Sequence, residues 1–332
     1  MIRVGLLFGG ASSEHDVSCA SALGVASALD RSAYEVVLIG ADRSGRWHRV
    51  GSIEELRHPP TEGTRLPELD DIDVVFPVLH GLNGEDGTVQ GLLELARIPY
   101  VGCGVLASAL AMDKARTAIV LEAAGVRTVA GVAITARDDA HAATAHLPWP
   151  RFVKPNRAGS SIGVTRVEHP GELDSAIAQA LVHDDTVLVQ PAMTGDEIDV
   201  GVLQLPGGTP TTGALLRVRP AADAAFFDFD AKYTAGGAAF EVPARVPQAV
   251  EAQLRRLAVR AFAALGCEGL ARVDFFVTTD GDVCVNEVNT MPGMSALSQF
   301  PTMFRAAGTD LPAVLDILIA RALVALEPAG RR

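Results

Sequence analysis

No G-x-G-x-x-G, no G-x-x-x-x-G-K-[ST], no C-x-x-C and no basic cluster beyond Arg331-Arg332 occur in the 332-residue chain. The first absence argues against a dinucleotide-binding turn, and the second against a Walker A loop. Cys19, Cys103, Cys267 and Cys284 are scattered without metal-ligand spacing, which points to small buried apolar side chains in a reduced compartment. A net charge of −12 and a pI near 5.1 argue against a nucleic-acid surface, so an anionic substrate needs locally placed Lys and Arg. No apolar run reaches membrane-spanning length, and Met1–Gly10 runs into a strand without a basic n-region or cleavage site, so a cytoplasmic location is expected. Internal repeats and low-complexity tracts are absent too. The length predicts two or three domains.

What is there centres on Ala271–Gly293, ARVDFFVTTDGDVCVNEVNTMPG. Two β-rich runs, Ala271–Val277 and Val283–Val288, flank Asp280-Gly281, a dipeptide suited to a two-residue type I′ hairpin loop. That loop places Asp274 opposite Glu287 and Arg272 opposite Asn289, with all four side chains on one face and Val273, Phe275, Val277 and Val288 on the other. Opposed carboxylates destabilise a strand pair unless a cation neutralises them. Asp274, Glu287 and Asn289 offer hard oxygen ligands suited to Mg²⁺ or Mn²⁺ with positions left for phosphates. The alternative is a surface hairpin with solvated charges.

Ile2–Phe8 reads as a buried parallel strand entering a Gly9-Gly10 turn, with Ser12, Ser13 and Asp16 as N-cap candidates for a helix to about Leu29. Glu14 and His15 sit at the helix start, where a carboxylate either serves a site or simply complements the helix dipole. Tyr34–Gly40 and Val74–Leu79 read as further buried strands; the second ends in the glycine-rich loop His80–Gly87. Ligands bind beyond the carboxyl ends of such strands, so both loops fall where a site forms, although His80 could equally be a solvated turn residue. A first domain border is expected near residue 112, followed by a helix capped by Asp113 and stopped by Gly125. Trp149–Val153 reads as a strand ending in Lys154-Pro155. The Gly/Ser loop Asn156–Gly163 and a short strand Val164–Val167 follow, the loop offering backbone amides to phosphates or standing as a flexible surface hairpin. Leu173, Ile177 and Leu181 repeat at helical spacing; the strand Val187–Val189 then enters a hinge, Gln190–Glu197, suited to an adenine and a ribose. Val200–Leu205 reads as strand, Val250–Leu265 as an amphipathic helix ended by Gly266, and Pro312–Leu326 as a final helix closing the C-terminal domain.

The ordered motifs GG-ASSEHDVS, LHG-LNGEDGTVQGLLE, MDK, VKPNRAGSSIGV, DFDAKY, ARVDFF and NEVNTMPGMSALSQFP resemble the D-alanine–D-alanine ligase family of the ATP-grasp superfamily along essentially the whole chain. The resemblance implies an α/β fold in which an N-terminal Rossmann-like domain (1–112) precedes a two-lobed ATP-grasp fold (113–190 and 191–332). It also implies ATP and two Mg²⁺ ions as cofactors, with Mn²⁺ as a substitute, D-alanine as substrate, and a homodimer through the N-terminal domain. By similarity Lys114, Lys154 and Ser161 meet phosphates, and Gln190, Pro191, Ala192, Met193 and Glu197 hold adenosine. Asp274, Glu287 and Asn289 bind metal. Glu14 holds the first D-alanine's ammonium beside His80, and Ser160 and Tyr233 complete a hydrogen-bonded group with Glu14. Arg272 and the Gly293 amide stabilise the tetrahedral oxyanion, while Lys232 and Ser298 hold the second carboxylate.

Two departures matter. The Glu-Lys common at the adenine hinge is Gln190-Pro191 here, which removes a lysine. Gln190, Gln299 and the NEVNTMPG wording lean toward the subgroup that contains D-alanine–D-serine and D-alanine–D-lactate ligases, whereas Tyr233 matches the D-alanine-using enzymes. Another amino-acid ligase of the superfamily, or an ATP-binding regulatory protein without turnover, are the competing readings.

Overall fold

In the computed structural model, which describes residues 1–220 and 238–325, the opening strand lies at the centre of a parallel arrangement. Strand β1 (Ile2–Gly9) pairs in parallel with β2 (Tyr34–Ala41) on one side and β4 (Val74–Pro77) on the other, and β3 (Trp47–Val50) adds antiparallel to β2. A strand with neighbours on both edges and helices on its faces meets no water, so Val4, Leu6, Leu7 and Phe8 are fully buried. Helix α1 (His15–Ala28) follows β1, and α2 (Thr88–Ala96) and α3 (Val105–Met112) follow β4. The expected N-caps of α1 are not used: Glu14 holds the N-cap position without a side-chain cap bond, and the Ser12 hydroxyl donates to the His80 carbonyl instead.

Helix α4 (Lys114–Ala123) starts at Asp113, whose carboxylate accepts from the Arg116 amide as the sequence predicts. The next sheet has the order β5 (Val132–Thr135), β8 (Thr186–Pro191), β6 (Arg151–Pro155), β7 (Thr165–Val167), with α5 (Ala140–Thr144) and α6 (Leu173–Ala180) packed over Val153, Val167, Val187 and Val189. The last sheet runs β12 (Ala238–Glu241), β11 (Leu216–Pro220), β9 (Gly195–Gln204), β13 (Leu270–Thr278), β14 (Val283–Asn289), with β10 (Pro210–Thr212) on the far end of β9. Helices α7 (Gln248–Ala264), α8 (Gln299–Ala306) and α9 (Leu311–Ala325) complete the described chain.

Packing does not follow chain order. The final helix α9 packs on both parts of the chain: Val314, Leu315, Leu318 and Ile319 share one core with Leu203, Leu270, Phe300 and Phe304 and with Val4, Leu6, Val74 and Phe76 of the N-terminal sheet. Conversely Ala107 and Ala111 of α3 sit in the core of the last sheet with Val273, Val285 and Val288. Apolar area on one segment is thus removed from water by a segment far away in sequence, which ties the N-terminal sheet to the hairpin β13–β14.

The hairpin keeps the expected partners for a different reason. Its turn is one residue longer than a type I′ loop: the Thr278 amide donates to the Asp282 carbonyl, the Gly281 amide donates to the Thr278 carbonyl, and Gly281 has φ +86°. Val277 then pairs with Val283 and Phe275 with Val285, a register one residue off, until a bulge between Asp274 and Phe275 restores Asp274 opposite Glu287 and Arg272 opposite Asn289. The longer turn and the bulge cancel. The residue displaced by the bulge is Asn286, which reaches the Lys154 ammonium at 3.3 Å.

Candidate active site

The ends of β1 and β4, the start of α1, the loop 156–164 and the β13–β14 face surround one cavity of about 760 Å³. Glu14 leaves the start of α1 and is buried; its carboxylate accepts the Ser160 hydroxyl from the loop after β6. Ser160 and Ser161 take left-handed φ of 52° and 60°, so the loop turns sharply to aim that hydroxyl inward. Gly81 is required on the other side, since with φ +72° a Cβ there would stand 2.5 Å from Glu14 Oε2.

His80 is buried, and its Nε2 is 2.9 Å from Ser21 Oγ on α1. Burial lowers its pKa, against the pull of Glu14, so the imidazole is neutral. Ser21 Oγ also accepts the Met294 amide at 3.1 Å, linking His80 to the loop after β14. Glu85 makes a second link, accepting from the Gly81 amide at 2.8 Å and the Met291 amide at 3.2 Å. Burial, reinforced by Glu14, pushes Glu85 up to about 8. Gly293 lies against Ser298, whose Oγ would be 2.9 Å from an added Cβ, so a larger residue there would have to displace the Ser298 hydroxyl.

On the hairpin, Arg272 donates through Nε and Nη2 to the two oxygens of Asp274, each at 2.7 Å, and Asn289 Nδ2 donates to the same carboxylate at 2.9 Å. Lys114 Nζ lies 3.5 Å from Glu287 and donates to the Ala158 carbonyl at 2.7 Å. The opposed carboxylates therefore have cations of the protein itself, Arg272 and Lys114, beside them. Burial works against the Arg272 charge, but Asp274, Asp199 and Glu287 more than offset it and hold its pKa above the ordinary arginine value. Asp199 is the direct β9 partner of Asp274, so Asp199, Asp274 and Glu287 form one row across three strands. Fully buried Asp199 accepts from Gln299 Nε2 at 2.6 Å, with Arg272 Nε at 3.9 Å.

Glu14, His80, Lys114, Ser160, Glu197, Arg272, Asp274, Glu287, Asn289, Gly293, Ser298 and Gln299 all line the cavity. Lys154, Ser161 and Gln190–Met193 do not line it. Gln190 is a β8 residue whose amide donates to the Val129 carbonyl at 3.1 Å, and Glu197 belongs to β9 rather than to a hinge. Lys232 and Tyr233 lie outside the described residues. Glu85, Asp199, Ser21 and Asn286 are absent from the sequence-based set; the acidic residue in NGEDG was the one available signal for Glu85.

Two family models match, D-ala D-ala ligase N-terminus over residues 3–103 and D-ala D-ala ligase C-terminus over residues 120–320. The chain belongs to the D-alanine–D-alanine ligase family. A D-alanine–D-alanine ligase of Rhodococcus jostii is 44% identical over 97% of this chain and 96% of its own length. Among solved structures, the VanG D-Ala:D-Ser ligase of Enterococcus faecalis superposes with a TM-score of 0.84 at 36% identity, covering 97% of this chain and 99% of that one. A D-alanine–D-alanine ligase of Bacillus anthracis in complex with ATP gives 0.78 at 29% identity, covering 100% of both. The three sheets of this family member are accordingly an N-terminal Rossmann-like α/β domain followed by the two lobes of an ATP-grasp fold.

Proposed function

We propose that the chain joins two D-alanines into D-alanyl-D-alanine, consuming ATP and passing through an acyl phosphate, as a step toward peptidoglycan precursors. The observation that carries this is the single cavity in which a buried carboxylate, Glu14, faces the Arg272–Asp274 fork and the Gly293 loop. A carboxylate is a poor electrophile, so its oxygen must first take the terminal phosphoryl group of ATP; the second amine then attacks, and phosphate leaves.

In this reading Glu14 holds the first ammonium, with neutral His80 beside it and Ser160 keeping the loop closed over both. Arg272 has committed Nε and Nη2 to Asp274, which leaves Nη1 to meet the developing oxyanion together with the Gly293 amide. Lys114 and Lys154, with Ser161, receive phosphates. Adenosine lies along Gln190–Met193 and Glu197; since Gln190's side chain is engaged with Val129, the base is read by backbone groups. Lys232, Ser298 and Gln299 face the second amino acid, and Tyr233 belongs to the Glu14–Ser160 group.

Asp274, Glu287 and Asn289 fit a hard divalent ion: they are oxygen donors on one face, once the Asn289 amide is turned about. Among the described residues no three His, Cys, Asp or Glu side chains converge on a metal, so Asp274, Glu287 and Asn289 would hold the ion together with oxygens of the bound nucleotide. Two Mg²⁺ ions, or Mn²⁺, supply charge neutralisation on the transferring phosphoryl when bound.

The same reading takes residues 1–112, 113–190 and 191–332 as the domains and a homodimer through the N-terminal one, which would cover the exposed Leu95 and Leu106 of α2 and α3. It also places the enzyme in the cytoplasm, where nucleotide and free D-amino acids meet. Among the described residues no helix is long and apolar enough to cross a membrane. D-Serine is the alternative acceptor, favoured by Gln299 at the cavity wall. Phosphate release from ATP on adding D-alanine, with the dipeptide identified by mass, tests the proposal; no D-alanine-dependent release overturns it.

A further inference from the structure

Lys114 is the first residue of α4, so the place of its ammonium depends on how the start of that helix is held. The first N–H groups of a helix have no partner inside it. Here the Arg116 amide donates to the Asp113 carboxylate at 3.0 Å, a local cap, but the two amides before it turn to a distant residue. The Lys114 amide donates to the Asn156 carbonyl at 3.3 Å, and the Ala115 amide donates to Asn156 Oδ1 at 2.9 Å. The Asn156 side chain also hydrogen-bonds Asp113: burial works against the charge of that carboxylate, but Asn156 and Arg116 outweigh it and hold its pKa below the ordinary value. One residue thus serves three consecutive positions at the helix start.

Asn156 is itself anchored. It is buried, and its own amide donates to the Thr186 carbonyl at 3.0 Å, which carries the β6–β8 ladder one residue past the Pro155–Val187 pair. Two residues further on, the Ala158 carbonyl accepts the Lys114 ammonium at 2.7 Å, with Glu287 3.5 Å from the same nitrogen. Both ends of Lys114, its backbone amide and its ammonium, are therefore set by the segment Asn156–Ala158.

We propose that Asn156 is a positioning residue for Lys114, fixing the start of α4 against the β6–β8 sheet so that the ammonium stands ready for the nucleotide phosphates. This rests on the ligase reading, in which Lys114 receives phosphates, and adds to it a residue that need not touch the nucleotide. An amide suits the task because it accepts from Ala115 and donates to Asp113 at once. A carboxylate in its place would set like charge against Asp113, and an apolar side chain would take a partner from both the Ala115 amide and the Asp113 carboxylate.

The test measures the dissociation constant for ATP with Mg²⁺ by calorimetry, without D-alanine, in the wild type, Asn156→Ala, Lys114→Met and the double variant. Asn156→Ala should weaken ATP binding about 3- to 10-fold, the weight of one hydrogen bond, and by less than about 2-fold in the Lys114→Met background. An unchanged constant in Asn156→Ala overturns the proposal. So does an equal loss of affinity in both backgrounds, which is what a loosened fold alone would give. If Asn156→Ala does not fold, Asn156→Ser, which keeps a donor and an acceptor on a shorter arm, takes its place in the same four-way comparison with the same two overturning results. Because D-alanine is absent from these measurements, a wild type that binds ATP yet releases no phosphate on adding D-alanine defeats the ligase reading and leaves the Asn156 result standing.

Discussion

Ser160 donates its hydroxyl hydrogen to Glu14 across 146 residues of sequence, joining the loop after β6 to the start of the first helix. A hydrogen bond to a charged group contributes about 1.5–3 kcal/mol when buried, enough to bias the loop between open and closed states by roughly 10- to 100-fold. Ser160→Ala keeps the Cβ and its left-handed backbone, so it removes only the hydroxyl. We expect kcat/KM to fall in that range, with faster amide hydrogen exchange confined to residues 156–164. Unchanged exchange there would mean the loop is held by other contacts.

Glu287 stands opposite Asp274 on the hairpin face and is partly open to the cavity, 3.5 Å from Lys114. Glu287→Gln keeps the shape of the side chain and a carbonyl acceptor for the Lys114 ammonium. Glu287→Gln should therefore melt within a few degrees of the wild type while losing Mg²⁺-dependent turnover. Retained turnover in the folded variant removes Glu287 from the metal-binding set.

Arg272 presents a planar fork that a lysine cannot reproduce. Arg272→Lys gives up at least one of the two 2.7 Å bonds to Asp274 and the Nη1 donor, so kcat should drop by ~10²–10³ and the melting temperature should fall as well. A lower melting temperature with a near-normal kcat would restrict Arg272 to holding Asp274 in place.

How much of this could be seen beforehand depended on the range of the interaction. The hairpin quartet was legible because strand alternation is local, although the turn was longer than Asp280-Gly281 suggests and the bulge at Asn286 compensated. The parallel strands β1, β2 and β4 were legible from unbroken apolar runs. The N-caps of α1 were not, because Ser12 is drawn to the His80 carbonyl, a partner 68 residues away. Asp199 and Glu85 were missed for a similar reason: their importance comes from the strand pairing with Asp274 and from the Met291 amide, neither of which leaves a local pattern. The packing of α3 and α9 on distant segments is likewise decided by which apolar faces meet in space.

Glu85 gives a pH signature. Its folded-state pKa of about 8 lies above the ordinary value of 4.5, so the folded chain binds more protons than the unfolded chain between those pH values. Stability attributable to Glu85 is complete below pH 4.5 and is lost as pH rises through about 8. Glu85→Gln, which stays neutral, should gain in melting temperature relative to the wild type on going from pH 5 to pH 8, each kcal/mol being worth roughly 2–4 °C. Parallel melting curves for the two proteins across that range would contradict the raised pKa.

The acceptor preference is the last expectation. D-Alanine-using enzymes of the family usually carry an apolar side chain at the position of Gln299, and resistance-type ligases often carry Arg. Here the Gln299 amide donates to Asp199, and the side chain lines the cavity as an uncharged group. An uncharged amide can hydrogen-bond a hydroxymethyl group, and it brings no charge to balance the negative charge of a hydroxy acid. A hydroxyl contributes only ~1–3 kcal/mol of discrimination in a pocket not built to bind it, so D-alanine should remain the main second substrate, with measurable D-serine use and little D-lactate use. Competition among the three acceptors at fixed D-alanine near neutral pH, with products separated by mass, measures this directly. The expected order is Ala-Ala over Ala-Ser over depsipeptide, and a dominant depsipeptide would show that the pocket selects against the amine.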